Sequence, residues 1–316
     1  MIQAVFSALS PVVLFILVGY VCGRRGLIRS SAVADLSNLT FLVLSPALLF
    51  RTMSGVHLTE LDFRPIGIYF AVAAVVFAGI AIFNGGFKRH GIVLALAGTF
   101  SNTVMIGVPI VGLAFGEAGM VTLFTLISVH AFVMLTCATI LLELAVARED
   151  AEAGRDGHRH MADTVLRAVR NGLLHPVPLP IVMGLLWGLT GWRLPELVDR
   201  PLQILGSAQV PVALVLVGVT LAFSRIGHQL QGAIALSATK TVLHPLLMLC
   251  VGKLFGLSGV PLAVMVVTAS LPIGANVFLF SQRYRTAEAV VTASVGLSTM
   301  GGLLTLPIWL WVVAHV

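Results

Sequence analysis

Charged residues are scarce in this chain. Lys, Arg, Asp and Glu make up 10% of its 316 residues, whereas hydrophobic residues make up 58%. Soluble domains contain roughly 25% charged residues, so this composition excludes an ordinary soluble domain and predicts an integral membrane protein. The net charge of +6 is weak support for a nucleic-acid ligand, because the basic residues lie in short stretches between apolar runs, where membrane orientation accounts for them. We therefore expect a lipid bilayer, and no nucleic acid, as a partner.

Cysteine is also scarce in this chain. Cys22, Cys137 and Cys250 all lie inside apolar segments, where a cysteine usually acts as a small hydrophobic residue. We expect no disulfide, no metal site and no cofactor. The sequence also lacks the GxxxxGK, HExxH and GxSxG motifs, so nothing in it predicts an ATPase or a hydrolase. An intramembrane enzyme would have Ser101 or Ser270 as its nucleophile, but we expect the protein not to be an enzyme.

Long apolar runs dominate what is present. A membrane-spanning helix needs about 20 apolar residues, and ten runs approach or exceed that length between turn-forming or charged stretches. The sequence therefore predicts an all-α membrane protein with ten transmembrane spans, at approximately Val5–Cys22, Leu36–Phe50, Ile66–Phe83, Ile92–Phe115, Met120–Val146, His175–Leu189, Leu202–Phe223, Gly232–Leu254, Val260–Phe280 and Ala289–Ala314.

Basic residues are unevenly distributed between the predicted loops. Most lie in the odd-numbered loops, such as Arg24 and Arg25 in the first and Lys88 and Arg89 in the third, and few lie in the even-numbered loops. Loops rich in Lys and Arg remain in the cytoplasm. We therefore expect a multi-pass protein of the bacterial cytoplasmic (inner) membrane with both termini on the outer, periplasmic side.

A long polar segment, residues 148–174, divides the spans into five in residues 1–147 and five in residues 175–316. We predict that it is a cytoplasmic loop. Because five is an odd number, the second half enters the membrane inverted relative to the first. The fourth span of each half is interrupted, since Gly98–Gly116 and Thr268–Gln282 both contain Pro, Gly and Asn inside an apolar run. Two interrupted helices at equivalent places are typical of a secondary transporter built from inverted repeats.

The interruptions place polar groups in the middle of the membrane. Asn102, Gly107 and Pro109 lie in the fourth span, and Pro272 and Asn276 lie in the ninth. Backbone groups released by a break inside a bilayer must be satisfied by other groups or by a polar ligand. A plain proline kink is the alternative for either span alone. If both spans are broken, their second half-helices begin near Pro109 and Asn276. These partly positive ends favour an anion, but partly negative helix ends lie nearby, so dipoles alone leave the ligand's sign open.

Lys240 lies near the centre of the eighth span. A charge at a helix centre costs about 2.5–3.5 kcal/mol on insertion scales, so such residues are rare and usually functional. The alternatives are that Lys240 binds carbonyl groups freed at the crossing, or that it is neutral. No Asp or Glu is predicted to lie comparably deep. A lone central cation therefore favours an anionic substrate, most simply a carboxylate.

His130 in span five and His244 in span eight are the other deep ionisable residues. Histidine titrates near neutral pH, so the pair could relay a proton. A neutral, hydrogen-bonded packing role is the simpler interpretation and is favoured by the sequence alone.

The two interrupted segments are similar to signatures of a known family. NTVMIGVPIVGLAFGEAG at residues 102–119 and LPIGANVFLFSQRY at residues 271–284 resemble motifs of the auxin efflux carrier family. SPALLF in span two and the Lys240…Pro245 pair in span eight extend the resemblance, which covers essentially the whole chain. Without the large central loop of plant auxin carriers, the chain is similar to the short bacterial members, malonate carriers among them.

This resemblance implies an inverted-repeat fold with two groups of helices. Spans one, two, six and seven would form a scaffold, and spans three to five and eight to ten a transport domain containing the helix crossing. It implies that Asn102, Pro109, Pro272 and Asn276 lie at the crossing. It also implies organic anions as substrates, mono- and dicarboxylates with malonate as the leading guess, and homodimers formed through the scaffold.

We therefore predict a secondary transporter of small organic anions that works by elevator-like movement of the crossing domain. A membrane ligand sensor of the same fold is one alternative. A sodium-coupled symporter is another, since unwound carbonyls at a crossing can coordinate Na⁺, while H⁺ coupling would use the two histidines. The candidate substrate-binding residues are Asn102, Gly107, Pro109, Lys240, Pro272 and Asn276.

Overall fold

The protein is all-helical in a computed structural model that describes residues 2–55, 63–152, 178–223, 229–274 and 276–316. The predicted loop at 148–174 lies largely outside the described residues. The helices of the first half are α1 (Ile2–Arg24), α2 (Ala32–Leu39), α3 (Ser45–Ser54), α4 (Arg64–Phe83), α5 (Arg89–Thr99) and α6 (Val108–Glu152). Those of the second half are α7 (Pro178–Leu189), α8 (Glu196–Phe223), α9 (Leu230–Ala238), α10 (His244–Leu254), α11 (Gly259–Ser270), α12 (Asn276–Arg283) and α13 (Glu288–Ala314).

Several helical segments of the described residues are long and apolar enough to cross a membrane. Length and composition qualify six: Ala32–Ser54, Arg64–Phe83, Thr103–Glu149, Glu196–Phe223, Leu230–Leu254 and Glu288–Ala314. Val13–Arg24, Leu179–Leu189 and Gly259–Ser270 are shorter apolar helices. The prediction of an all-α, multi-pass membrane protein is confirmed at this level, while the ten-span count stays a prediction.

In three spans, a proline lies two residues after the end of a π-helical turn. The turns are Thr40–Leu44, Thr103–Gly107 and Thr239–Leu243, and the prolines are Pro46, Pro109 and Pro245. Proline has no N–H, and its ring clashes with the carbonyl four residues earlier. The helix accommodates it by widening the preceding turn, so that Val108 N bonds to Thr103 O and His244 N bonds to Thr239 O. These prolines therefore widen their spans without ending them.

Helices α5 and α11 are buried on every side. All residues from Gly91 to Thr99 in α5 are buried, as are all residues from Leu262 to Ser270 in α11. A helix that is hydrophobic all round belongs in the interior of a large protein or membrane protein. Both helices end in the interior of the protein, and the residues directly after each are not helical.

The helices pack in two sets. In one, α1 packs along α8, and α3 packs against α7 and α8. In the other, α4 packs against α5, α9 and α11 against α13, and α10 against α11. Helices α1 and α8 approach closely at two glycines. A Cβ at Gly19 would overlap the Val215 carbonyl, and one at Gly218 would overlap the Ile16 carbonyl. Such small residues allow close helix contact inside a membrane.

The boundary between predicted spans four and five is narrower than expected. We expected a loop between Phe115 and Met120, but α6 continues through this region with one non-helical residue, Gly116 (φ 59°, ψ −149°). Glycine adopts this positive φ without steric cost. A single glycine therefore redirects the chain where the sequence predicts a short loop.

Candidate functional site

The two interrupted segments meet and pair with each other. The break after α5 covers residues 100–102, and the break after α11 begins at Leu271. Asn102 N donates to Pro272 O at 2.9 Å, and Gly274 N donates to Phe100 O at 3.0 Å. Ser101 and Ile273 thus oppose each other as an isolated antiparallel bridge. The breaks satisfy part of each other's backbone, as a bilayer interior requires.

Further contacts hold the second break in place. Ile273 N donates to the Oγ of Ser298 on α13 at 3.1 Å. A Cβ at Gly107 would lie 2.7 Å from Leu271 Cδ1, so Gly107 packs directly against this break. Asn276 begins α12 and is half-buried. Gly107, Asn102 and Pro272 are therefore brought together, as their positions in the sequence predict.

The start of the half-helix in span four differs from the prediction. We expected it near Pro109, but helical structure resumes at Thr103, and Pro109 is the second residue of α6. Ile106 N and Gly107 N both donate to Asn102 O, at 3.3 and 3.1 Å. The partly positive helix end is thus at Thr103, beside Asn102, because Pro109 widens a turn instead of starting a helix.

Gln209 on α8 contributes a contact that the sequence analysis missed. Val108 N bonds to Thr103 O and Pro109 has no N–H, so Val104 O has no backbone donor within its helix. Gln209 Nε2 donates to this oxygen at 3.0 Å. Its side chain is fully buried, and its Oε1 atom has no hydrogen-bond partner in the described segments. A glutamine inside an apolar span was the signal that could have indicated it.

Lys240 reaches the crossing from its π-helical turn. Its side chain is fully buried, and its Nζ donates to the carbonyl of Ala269. Ala269 lies in the last turn of α11, where carbonyl groups lack partners within the helix and carry partial negative charge. A carbonyl freed at the crossing was one of the alternatives for Lys240. In the described part of the chain, no carboxylate forms an ion pair with it.

A buried carboxylate lies elsewhere. Glu143 on α6 is 7% exposed, which is deeper than its position in the sequence indicated. Its Oε1 accepts a hydrogen bond from Tyr284 Oη at 2.9 Å and lies 3.8 Å from Arg283 Nη2. Its charge is therefore compensated at the end of α12, where the chain leaves the crossing.

His130 and His244 meet around Tyr69 on α4. The Tyr69 ring centre lies 5.5 Å from that of His130 and 5.8 Å from that of His244. The ring of Phe100, at the first break, lies 4.9 Å from His130. Both histidines are fully buried, and none of their ring nitrogens has a hydrogen-bond partner among the residues that the structure describes. The hydrogen bonds expected for them are therefore not among the contacts of the described residues, and their role, packing or proton relay, stays a prediction.

A cavity of about 1020 Å³ opens between α3, the Gly116 kink and the α7–α8 connection. Arg51 and Asp199 form a two-point ion pair in its wall, with Nε–Oδ1 at 2.7 Å and Nη2–Oδ2 at 3.1 Å. Arg193 and Glu117 also line it. Gly112, on the first turns of α6 after Pro109, also lines it. The cavity is thus formed by the end of α3, the Gly116 region of α6 and the α7–α8 connection.

The arrangement fits a binding site better than a reactive centre. Among the described residues, no group of three His, Cys, Asp or Glu side chains could hold a metal ion. Ser101 and Ser270, the nucleophile candidates, have no histidine hydrogen-bonded to their hydroxyl groups: Ser101 contacts Tyr69, and Ser270 donates to Val267 O. What the site offers is paired backbone, an amide and a buried amine.

Comparison with known proteins agrees with this assessment. Residues 4–310 match the family described as "Membrane transport protein". The "Uncharacterized transporter YfdV" of Escherichia coli (strain K12) is 24% identical, over 96% of each chain. The "Putative malonate transporter" of Rhizobium meliloti (strain 1021) is 26% identical, over 92% of each chain. "Auxin efflux carrier component 8" of Arabidopsis thaliana is 23% identical, over 65% of each chain.

The family match covers nearly the whole chain, including both breaks, Lys240 and the two histidines. The resemblance carried by the two interrupted segments is thereby confirmed. The chain belongs to the membrane transport protein family, which includes the auxin efflux carriers, and is a multi-pass membrane transporter and not an enzyme.

Proposed function

We propose that the protein is a secondary transporter of small organic anions, mono- or dicarboxylates with a malonate-like dicarboxylate as the leading substrate. The observation that carries the proposal is the fully buried amine of Lys240, which lies at the paired breaks and, in the described part of the chain, has a carbonyl and no carboxylate as its partner. A buried cation without an ion-pair partner favours an anionic ligand. The malonate-like substrate is supported by the name of the Rhizobium meliloti relative.

In this proposal the substrate lies beside Asn102, between the two breaks. The helix starts at Thr103 and Asn276 carry partial positive charge, which favours a carboxylate. Gly107 and Pro109 shape the turn behind Asn102, and Pro272 fixes the opposing strand. The Asn102 and Asn276 amides would donate to the carboxylate oxygens, and Lys240 would offset its charge.

Transport would follow from movement of one packing set against the other. We assign α1, α2, α3, α7 and α8 to a scaffold (spans one, two, six and seven) and the remaining helices to a transport domain, within ten spans arranged as two inverted repeats. The glycine-mediated packing of α1 on α8 supports a rigid scaffold. Exposed apolar side chains on α8, such as Leu197 and Ile204, are compatible with lipid or with a homodimer contact.

The direct test is counterflow of radiolabelled malonate in proteoliposomes. Vesicles loaded with unlabelled malonate are expected to accumulate the label transiently, and protein-free vesicles are expected not to. The neutral dimethyl ester of malonate should not compete, because it has no charge to pair with Lys240. An absence of counterflow for malonate and a panel of other mono- and dicarboxylates would overturn the proposed substrate class.

The proposed orientation of the protein in the membrane can be tested by cysteine labelling. With both termini outside an inner membrane, the cavity beside Arg193 opens to the periplasm, and the connection that contains Arg25 faces the cytoplasm. In a variant lacking Cys22, Cys137 and Cys250, a membrane-impermeant maleimide added to intact cells is expected to label Arg193→Cys but not Arg25→Cys. The opposite labelling pattern would invert the topology.

Gln209 is expected to hold the scaffold to the crossing. Its hydrogen bond to Val104 O has to break before the two helix sets move, and such a bond is worth about 0.5–1.5 kcal/mol. Gln209→Leu is therefore expected to speed malonate counterflow by about twofold to tenfold. Gln203→Leu, an exposed position on the same helix, should leave the rate unchanged. Slower counterflow in a stably folded Gln209→Leu protein would contradict this role.

A further inference from the structure

Four ionisable side chains from three spans converge behind the first break. We call Tyr69, His130, Lys240 and His244 the histidine cluster. All four are fully buried. The Tyr69 ring contacts both imidazoles. His244 follows Lys240 by one turn on the same span. Among the described residues of the helices that carry or contact the cluster, α9 and α11 contain no titratable side chain, and Arg64, Arg89, His90, Lys253 and Glu288 lie at helix ends. The buried Glu143 lies further along α6, where it is bonded to Tyr284, and Cys137 and Cys250 are exposed.

The cluster has unused hydrogen-bonding capacity. Within the described ranges, the Nδ1 and Nε2 atoms of His130 and of His244 all lack a hydrogen-bond partner. Leaving a buried polar group unpaired costs about 1–3 kcal/mol. Packing alone would be served as well by phenylalanine, which already surrounds His130 at positions 70 and 100. Two unpaired imidazoles are therefore better explained by a state of the protein in which they are used.

Without an anion nearby, charge repulsion limits how many groups of the cluster can be protonated and positively charged. Lys240 and the two histidines would repel one another if all were charged, because like charges at short range in a medium of low dielectric constant interact strongly. An anion at the neighbouring crossing removes this penalty. The unperturbed pKa of histidine lies nearer neutral pH than that of lysine or tyrosine, so an imidazole is the group of the cluster that we expect to take up a proton when the anion arrives.

The cluster is physically joined to the crossing. Tyr69 Oη lies 3.2 Å from Ser101 Oγ, in the first break. Phe100 carries the ring beside His130, and its carbonyl accepts the hydrogen bond from Gly274 in the second break. A ligand that shifts the paired breaks would therefore also act on the surroundings of both histidines.

We propose that carboxylate binding at the crossing is linked to uptake of a proton by the His130–His244 pair. The proton comes from solvent, and the anion and the proton enter the site together, so that the transport domain moves with less net charge. This inference rests on the proposed function and names its coupling ion. It predicts carboxylate–proton symport, and not sodium coupling.

The test is isothermal titration calorimetry of malonate with purified protein in phosphate and in Tris at the same pH. These buffers differ in ionisation enthalpy, so linked proton uptake makes the observed enthalpy buffer-dependent. We expect uptake of up to about one proton per malonate. By linkage, affinity should then fall by up to about tenfold for each pH unit of increase through the range in which the pair titrates.

Variants locate the proton. The double substitution His130→Asn and His244→Asn is expected to remove the buffer dependence while malonate still binds, and His90→Asn, at the exposed start of α5, is expected to retain it. A buffer-independent enthalpy in the unsubstituted protein would overturn this inference and leave the proposed function intact. Uptake that persists in the double variant would overturn the assignment to the histidines. An absence of malonate binding at every pH, with other carboxylates also inactive, would overturn the proposed function and this inference together.

Discussion

Replacing Lys240 by methionine is expected to abolish carboxylate transport without unfolding the protein. Methionine retains the length of the side chain and removes its charge. Truncating one partner of a buried charged contact costs about 2–5 kcal/mol of binding free energy, so malonate affinity should fall by about thirtyfold or more. Substrate-induced stabilisation in a thermal-shift assay, which reports binding to the folded state, should disappear with it.

The same substitution separates a binding role from a structural one. If Lys240 only satisfied the Ala269 carbonyl, Lys240→Met would lower the unfolding temperature and leave stabilisation by malonate unchanged. We expect the reverse, because removing a buried charge that has no ion-pair partner relieves a large desolvation cost, which offsets the lost bond to the Ala269 carbonyl. Lys253→Met, on the exposed end of α10, is the matched control and should retain both transport and stabilisation. Malonate counterflow at the normal rate in Lys240→Met would contradict the anion site.

The second large effect is expected at Gly274, where the two breaks are closest. A Cβ on this residue would lie 2.6 Å from Phe100 Cδ1 and 3.2 Å from Ser101 O. The Phe100 ring is buried and packed at 4.9 Å from His130, so it has little room to move. Gly274→Ala should therefore separate the paired segments and weaken the bond from Gly274 N to Phe100 O. Overpacking of this kind costs about 1–3 kcal/mol.

Thermal unfolding in detergent and malonate counterflow together measure this effect. Gly274→Ala is expected to lower the unfolding temperature and to reduce counterflow severely, because both breaks contribute to the proposed site. The control is Gly301→Ala on α13, where an added Cβ meets nothing within 4 Å. Alanine in that helix interior should be neutral or stabilising by up to about 1 kcal/mol. Equal behaviour of the two variants would show that the close pairing is not needed for transport.

The two breaks could be found from the sequence because their chemistry conflicts with their surroundings. Asn102 and Pro272 interrupt apolar runs that would otherwise be continuous helices, and Lys240 is charged inside a third. Such residues are costly in a bilayer, so their presence marks them without any coordinates. The family motifs that enclose them were recognisable for the same reason.

Other parts of the site depend on contacts between distant residues. Gln209 and Val104 are 105 residues apart, and the need for Gln209 arises only because Pro109 widens the turn before it. Pro109 itself was interpreted as a helix start. Whether a proline ends a helix or widens it depends on whether other groups satisfy the freed carbonyl, which local sequence does not specify.

By itself, the sequence determined that this protein lies in a lipid bilayer, that its spans are helical and where both breaks lie. These features depend on local hydropathy and on the local properties of proline and glycine. Only the tertiary structure decided that Asn102 pairs with Pro272, that Lys240 donates to Ala269, and that His130 and His244 meet at Tyr69. These contacts join residues on different spans. Their geometry follows from helix packing, in which each position depends on all its neighbours at once.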